Sequence, residues 1–115
     1  TGPPSFAIGC ETSALLADAM PRANGDLAVA QDLVRETFEA QLSPVDAIAE
    51  QLAAAHSLTY DGIDASVAPM GTAPPLTDSF ESLGLGTFGE SGTLAVSALV
   101  TGALKSVRGV KLCGY

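Results

Sequence analysis

Three short apolar runs, separated by longer stretches of helical composition, constrain this chain more than any other feature. Ser5–Gly9 ("SFAIG"), Tyr60–Ala68 ("YDGIDASVA") and Val110–Cys113 read as strands. A strand, a helix and another strand in one sheet need a crossover, so the predicted class is α/β, with helices between at least partly parallel strands. The middle run alternates, placing Ile63, Ala65 and Val67 on one face and Gly62, Asp64, Ser66 and Ala68 on the other.

The helical stretches carry their own punctuation. Glu11 to Met20 stops at Pro21, and Asn24-Gly25 marks a turn. From Asp26 to Leu42, the residues Leu27, Ala30, Val34, Phe38 and Leu42 recur at helical spacing. Ser43-Pro44-Val45-Asp46 reads as a fresh helix start, because Ser suits the cap, Pro the first turn and Asp the positive end of the dipole. Val45, Ile48, Leu52 and Ala55 then predict the buried stripe of a second helix ending near His56, antiparallel to the first. Thr77 to Leu83 is predicted as a short helix capped by Thr77. Thr93 to Ser106 is apolar nearly all round and predicts a central, buried helix.

Composition bounds the function. Hydrophobic residues make up 47% of the 115 and charged ones 16%, so burial demand is high and residues 1–115 read as a single α/β segment of a larger domain or of an oligomer. The missing initiator Met and the ending at "KLCGY" point the same way. A formal charge of -8 argues against nucleic acid, which is bound first through Lys and Arg. The apolar run at Thr93 to Leu104 is too short to cross a bilayer, and no leader pattern opens the chain. Cys10 and Cys113 lie near opposite ends; they are a disulfide or two thiols of a reducing compartment, and the second reading implies a cytoplasmic protein.

"LGLGTFGESGT" contains Gly84, Gly86 and Gly89 at the spacing of a dinucleotide-binding loop. That motif works when a strand delivers the chain to the glycine turn, yet "TDSFESL" before it has helical character. A triphosphate loop would need Gly-Lys before Ser or Thr, and Gly92-Thr93 lacks the Lys. What stays open is a simpler site, in which Gly89, Ser91, Gly92 and Thr93 present backbone N–H groups to an anion at a helix start, or a purely structural role for glycines that let a helix pack closely.

Several stretches together resemble the domain of unknown function 711 family, also called the PFL family for its likeness to pyruvate formate-lyase. They are "PSFAIGCE", the segment from Gly62 to Ser106, and "LCGY". The family's Asp-x-Ser-x-Ala-Pro pattern is matched by Asp64, Ser66, Ala68 and Pro69, and its Gly-x-x-Gly-Thr pattern by Gly89, Gly92 and Thr93. The resemblance implies a piece of a glycyl radical enzyme-like α/β barrel from a longer protein, without implying radical chemistry.

The candidate catalytic residues are Asp64, Ser66 and Glu11. A carboxylate and a hydroxyl two residues apart can face one pocket, where they orient a polar ligand or move a proton; Asp64 can equally hold a loop through backbone N–H bonds. If the first and last strands are parallel, Cys10, Glu11 and Cys113 share the carboxyl edge, where α/β proteins place ligands. His56 reads as a helix-end residue rather than a base, and no metal or cofactor follows from the Cys and His spacing. The expected function is binding of a small polar molecule within an enzyme-like protein; the alternative is a non-catalytic sensing or assembly module joined to the rest of the protein or to further copies.

Overall fold

The computed structural model describes residues 2–68 and 74–114. Of "PMGTAPP", which the sequence predicts to break the middle strand, the first five residues, Pro69 among them, lie outside the described residues. Three strands, β1 (Ser5–Gly9), β2 (Thr59–Asp64) and β3 (Leu112–Cys113), form one parallel sheet in the order β1-β2-β3. The predicted parallel α/β class is therefore the observed one. β2 is shorter than its alternation suggests because both partners run out: Gly9 and Cys113 each pair with Asp64, and among the described residues no strand pair lies beyond. Ala65 and Val67 still turn inward, Ala65 fully buried and Val67 packed against the core.

Between β1 and β2 the chain forms α1 (Ser13–Ala19), a 3-10 turn (Met20–Ala23) and α2 (Leu27–His56). Asp26 caps α2, its carboxylate accepting from the N–H groups of Ala28 and Val29 at 3.0 Å each. The predicted antiparallel pair of helices is instead one helix of 30 residues, with Pro44 inside it. A proline there forfeits a backbone bond and crowds the preceding turn, at about 3 kcal/mol. What outweighs this is a stripe that passes Pro44 without a change of phase: Ala30, Val34, Phe38, Leu42, Asp46, Ala49 and Ala53 are buried, while Ser43 and Pro44 face solvent.

The same phase inverts the predicted burial beyond Pro44. Ile48 is 58% exposed and Leu52 50%, whereas Asp46, Ala49 and Ala53 point inward. The buried Asp46 is matched by the Tyr60 hydroxyl, which donates to it at 2.8 Å, and Tyr60 in turn packs on Phe6 at 5.3 Å between ring centres.

After β2 come α3 (Leu76–Glu81) and α4 (Gly92–Lys105). Thr77 lies inside α3 rather than capping it; Pro75 holds the cap position. α4 buries one face, through Val96, Leu99, Val100, Ala103 and Leu104, while Leu94 is 78% exposed, so the prediction of a helix buried all round is corrected. Right-handed crossovers in a sheet ordered 1-2-3 bring both connections to one side. α2 and α4 accordingly pack on each other, and a single helical layer gives α4 only one side to bury. Alternate β1 residues Ser5, Ala7 and Gly9 remain exposed. The long α2 stretches the molecule to 49 × 24 × 23 Å.

Candidate functional site

The parallel register brings three chain segments together at the carboxyl edge of the sheet. Gly9 and Cys113 flank Asp64, and the Cys10 N–H donates to the Asp64 carbonyl at 2.9 Å, closing the β1–β2 ladder at Asp64. The buried Thr12 hydroxyl then donates to the Ala65 carbonyl at 3.2 Å, which ties the entry of α1 to the exit of β2. Glu11 sits in this junction, its carboxylate accepting from the hydroxyl of Ser13 and, at 3.3 Å, from the Ser13 N–H. It thereby occupies a donor of the first turn of α1 that has no partner within the helix.

Asp64 accepts from the Ser66 N–H at 2.9 Å, and the Ser66 hydroxyl donates to the Gly114 carbonyl at 3.2 Å. The loop-holding role open to Asp64 is therefore realised, and it coexists with a place at a cavity. Gly9, Cys10, Glu11, Asp64, Ser66 and Ala68 line a space of about 390 Å³ that opens at this edge. Asp64, Ser66 and Glu11, read from the sequence as one group, all reach it.

The electrostatics of this cavity are one-sided. The Ser66 hydroxyl, for which the Asp64 carboxylate competes with the Gly114 carbonyl, and then the Ser66 backbone N–H hold the Asp64 carboxyl below the usual carboxylate range, against a smaller opposing effect of desolvation. Burial pushes the Cys10 thiol up, and the Asp64 charge adds to that. A thiol so placed is a poor nucleophile at neutral pH. None of the five cationic side chains lines the cavity. Arg22 pairs with Asp18, and Arg35 with Asp32, Glu36 and Glu39. Lys111 donates to the Tyr60 carbonyl, Lys105 ends α4, and Arg108 lies in the turn before β3. Among the described residues, no three His, Cys, Asp or Glu side chains come together in a way that could hold a metal.

Gly89, Ser91, Gly92 and Thr93 are not brought to this cavity. Their loop follows a helix, α3, as its composition predicts, and several of its N–H groups are bonded within the loop or to α3. Thr87 donates to the Glu90 carboxylate at 2.7 Å, Phe88 to Glu81 at 2.9 Å, and Gly89 to the Thr93 hydroxyl at 2.7 Å. Ser91 occupies the cap position of α4 without a side-chain cap bond. His56 ends α2, exposed, and away from the cavity lining. The residue that sequence reasoning passed over is Gly114, whose only signal was its place in the "LCGY" segment.

No helix among the described residues is long and apolar enough to cross a membrane. No curated protein and no solved structure matches the chain. The model of one family, described as Uncharacterised ACR (DUF711), matches residues 1–115, and the chain belongs to that family.

Proposed function

We propose that this chain supplies a binding site for a small polar molecule at the carboxyl edge of its parallel sheet, within an enzyme-like α/β protein. The observation that carries the reading is the convergence of Asp64, Ser66 and Glu11 on one cavity of about 390 Å³, a size suited to a small metabolite. Two carboxylates with no lining cation favour ligands that bring N–H or O–H donors over phosphates and carboxylates. Parallel strands with helices on one side are compatible with a segment of a pyruvate formate-lyase-like barrel. The free thiols of Cys10 and Cys113 fit a cytoplasmic setting.

The test is an NMR titration with a panel of amine, polyol and carboxylate fragments. Amines or polyols are expected to shift the amides of Cys10, Asp64 and Ser66, and Asp64→Ala to abolish the shifts with little change in Tm. A panel that leaves those amides unmoved refutes the reading. The alternative, an assembly module, is favoured by the exposure of Ile48, Leu52 and Leu94. Light scattering separates the two: a monomer at high concentration counts against assembly as the main role.

A further inference from the structure

We propose that Gly114 is a positioning residue for Asp64, fixing where the carboxylate sits in the cavity at the carboxyl edge. Its functional meaning rests on the reading of that cavity as a binding site, although its geometry stands apart from any ligand. Cys113 pairs with Asp64, so the residue after it leaves β3 directly beside the Asp64 side chain. Gly114 adopts φ +81, and a Cβ built on it falls 2.7 Å from Asp64 Cγ and 2.8 and 2.9 Å from the two carboxylate oxygens. The bare Cα therefore packs against the face of the carboxylate. On its other side, the Gly114 carbonyl accepts the Ser66 hydroxyl, while the Ser66 N–H holds one Asp64 oxygen. Gly114 thus bounds Asp64 by contact and also anchors the residue that hydrogen-bonds it.

A side chain at position 114 must displace something, and the three nearest atoms in its way belong to the Asp64 carboxylate. That group can rotate, and rotation takes it off the Ser66 N–H. Gly109 provides a control within the same chain. It has φ +70, yet a Cβ there meets nothing within 4 Å, so an alanine brings the backbone strain without the crowding.

The experiment compares Gly114→Ala with Gly109→Ala by carbon-detected NMR titration of the Asp64 carboxyl. The titration midpoint is expected to rise toward the ordinary carboxylate range in Gly114→Ala and to stay in place in Gly109→Ala. A midpoint unmoved by Gly114→Ala overturns the proposal. Thermal unfolding gives the second readout: the left-handed backbone is expected to lower Tm by about 5 °C in Gly109→Ala, and strain plus crowding to lower it by about 10 °C in Gly114→Ala. In an Asp64→Ala background the Gly114→Ala loss should fall by about half while the Gly109→Ala loss is unchanged. Equal losses in both backgrounds mean strain alone and also overturn it. Should Gly114→Ala fail to fold, the double variant with Asp64→Ala is expected to fold, and an unfolded double variant counts against the proposal. Neither readout uses a ligand, so a fragment titration that finds no binding is distinguishable from a failure here.

Discussion

Pro44→Ala should stabilise this protein, which is unusual for a change at a residue that looks like a helix start. In the structure Pro44 lies in the interior of α2, eighteen positions into a helix of 30, with its ring on the solvent side. Alanine restores the N–H that bonds the Ala40 carbonyl and removes the clash of the ring with the preceding turn, together worth about 3 kcal/mol in a helix interior. Against that, the unfolded chain regains freedom that proline had denied it, about 0.4–1 kcal/mol. The expected net gain is about 2 kcal/mol. For a domain of this length that is a rise in Tm of about 8 °C. The assay is thermal unfolding followed at 222 nm, with a urea midpoint as a second measure and unchanged helicity as the control. If residues 44 to 56 were instead a separate helix begun by Pro44, alanine would forfeit a favourable first-turn residue and Tm would stay or fall. A Tm that does not rise therefore refutes the continuous helix and the inverted burial that depends on it.

Tyr60→Phe should cost about 1.5–3 kcal/mol at neutral pH, because the buried Asp46 carboxylate loses its donor. The same variant should lose less stability in alkali. Burial first, and then the bond to Asp46, hold the Tyr60 hydroxyl protonated above its ordinary pKa of 10.0, so the unfolded chain gives up that proton sooner and stability falls as pH rises past 10. Urea midpoints at pH 7 and 11 test this, and equal alkaline losses in the two proteins contradict it. In a Cys113→Ser background, the raised thiol pKa predicts that iodoacetamide alkylates Cys10 with a pH midpoint above that of the urea-unfolded protein, and that Asp64→Asn lowers it; a midpoint equal to the unfolded one refutes the assigned cause.

The strands, their parallel sense and the convergence of Asp64 with Ser66 were legible because each depends on local periodicity and on one topological rule. Glu11 was reachable too, since the carboxyl end of β1 must lie beside that of β2 once the crossover is right-handed. The errors arose where a local signal competed with a longer one. Ser43-Pro44 is a good helix start in isolation, but the spacing from Leu42 through Asp46, Ala49 and Ala53 continues the register of Phe38, and the longer pattern prevailed. An aspartate on the buried face hid that pattern, because its partner, Tyr60, lies 14 residues on in another element. In the glycine loop, Glu81, seven residues before Phe88, and Glu90 fold back to take the N–H groups of Phe88 and Thr87, contacts that no local periodicity announces. Gly114 could not be found at all without the β2–β3 register, since what it contacts is 50 positions away in the chain.

The irregularity between Phe6 and Ala7 has a consequence for the whole edge. At this point β1 steps from partner Tyr60 to partner Gly62, leaving Asp61 unpaired. A regular strand that sends Tyr60 toward α2 would send Ile63, three residues on, to the opposite side. Yet both are buried, Tyr60 against Asp46 of α2 and Ile63 completely. The extra residue acts as a half-period phase shift: it resets which parity of β2 is interior, and every later position inherits the new assignment. Asp64 is at the cavity and Ala65 in the core because of it. In this sense Asp61 is a spacer outside the count: deleting it would leave Tyr60, Gly62, Ile63 and Asp64 opposite Phe6, Ala7, Ile8 and Gly9 with the carboxylate on its present side, whereas drawing Asp61 into the ladder opposite Ala7 would keep each residue of the site and turn the carboxylate inward.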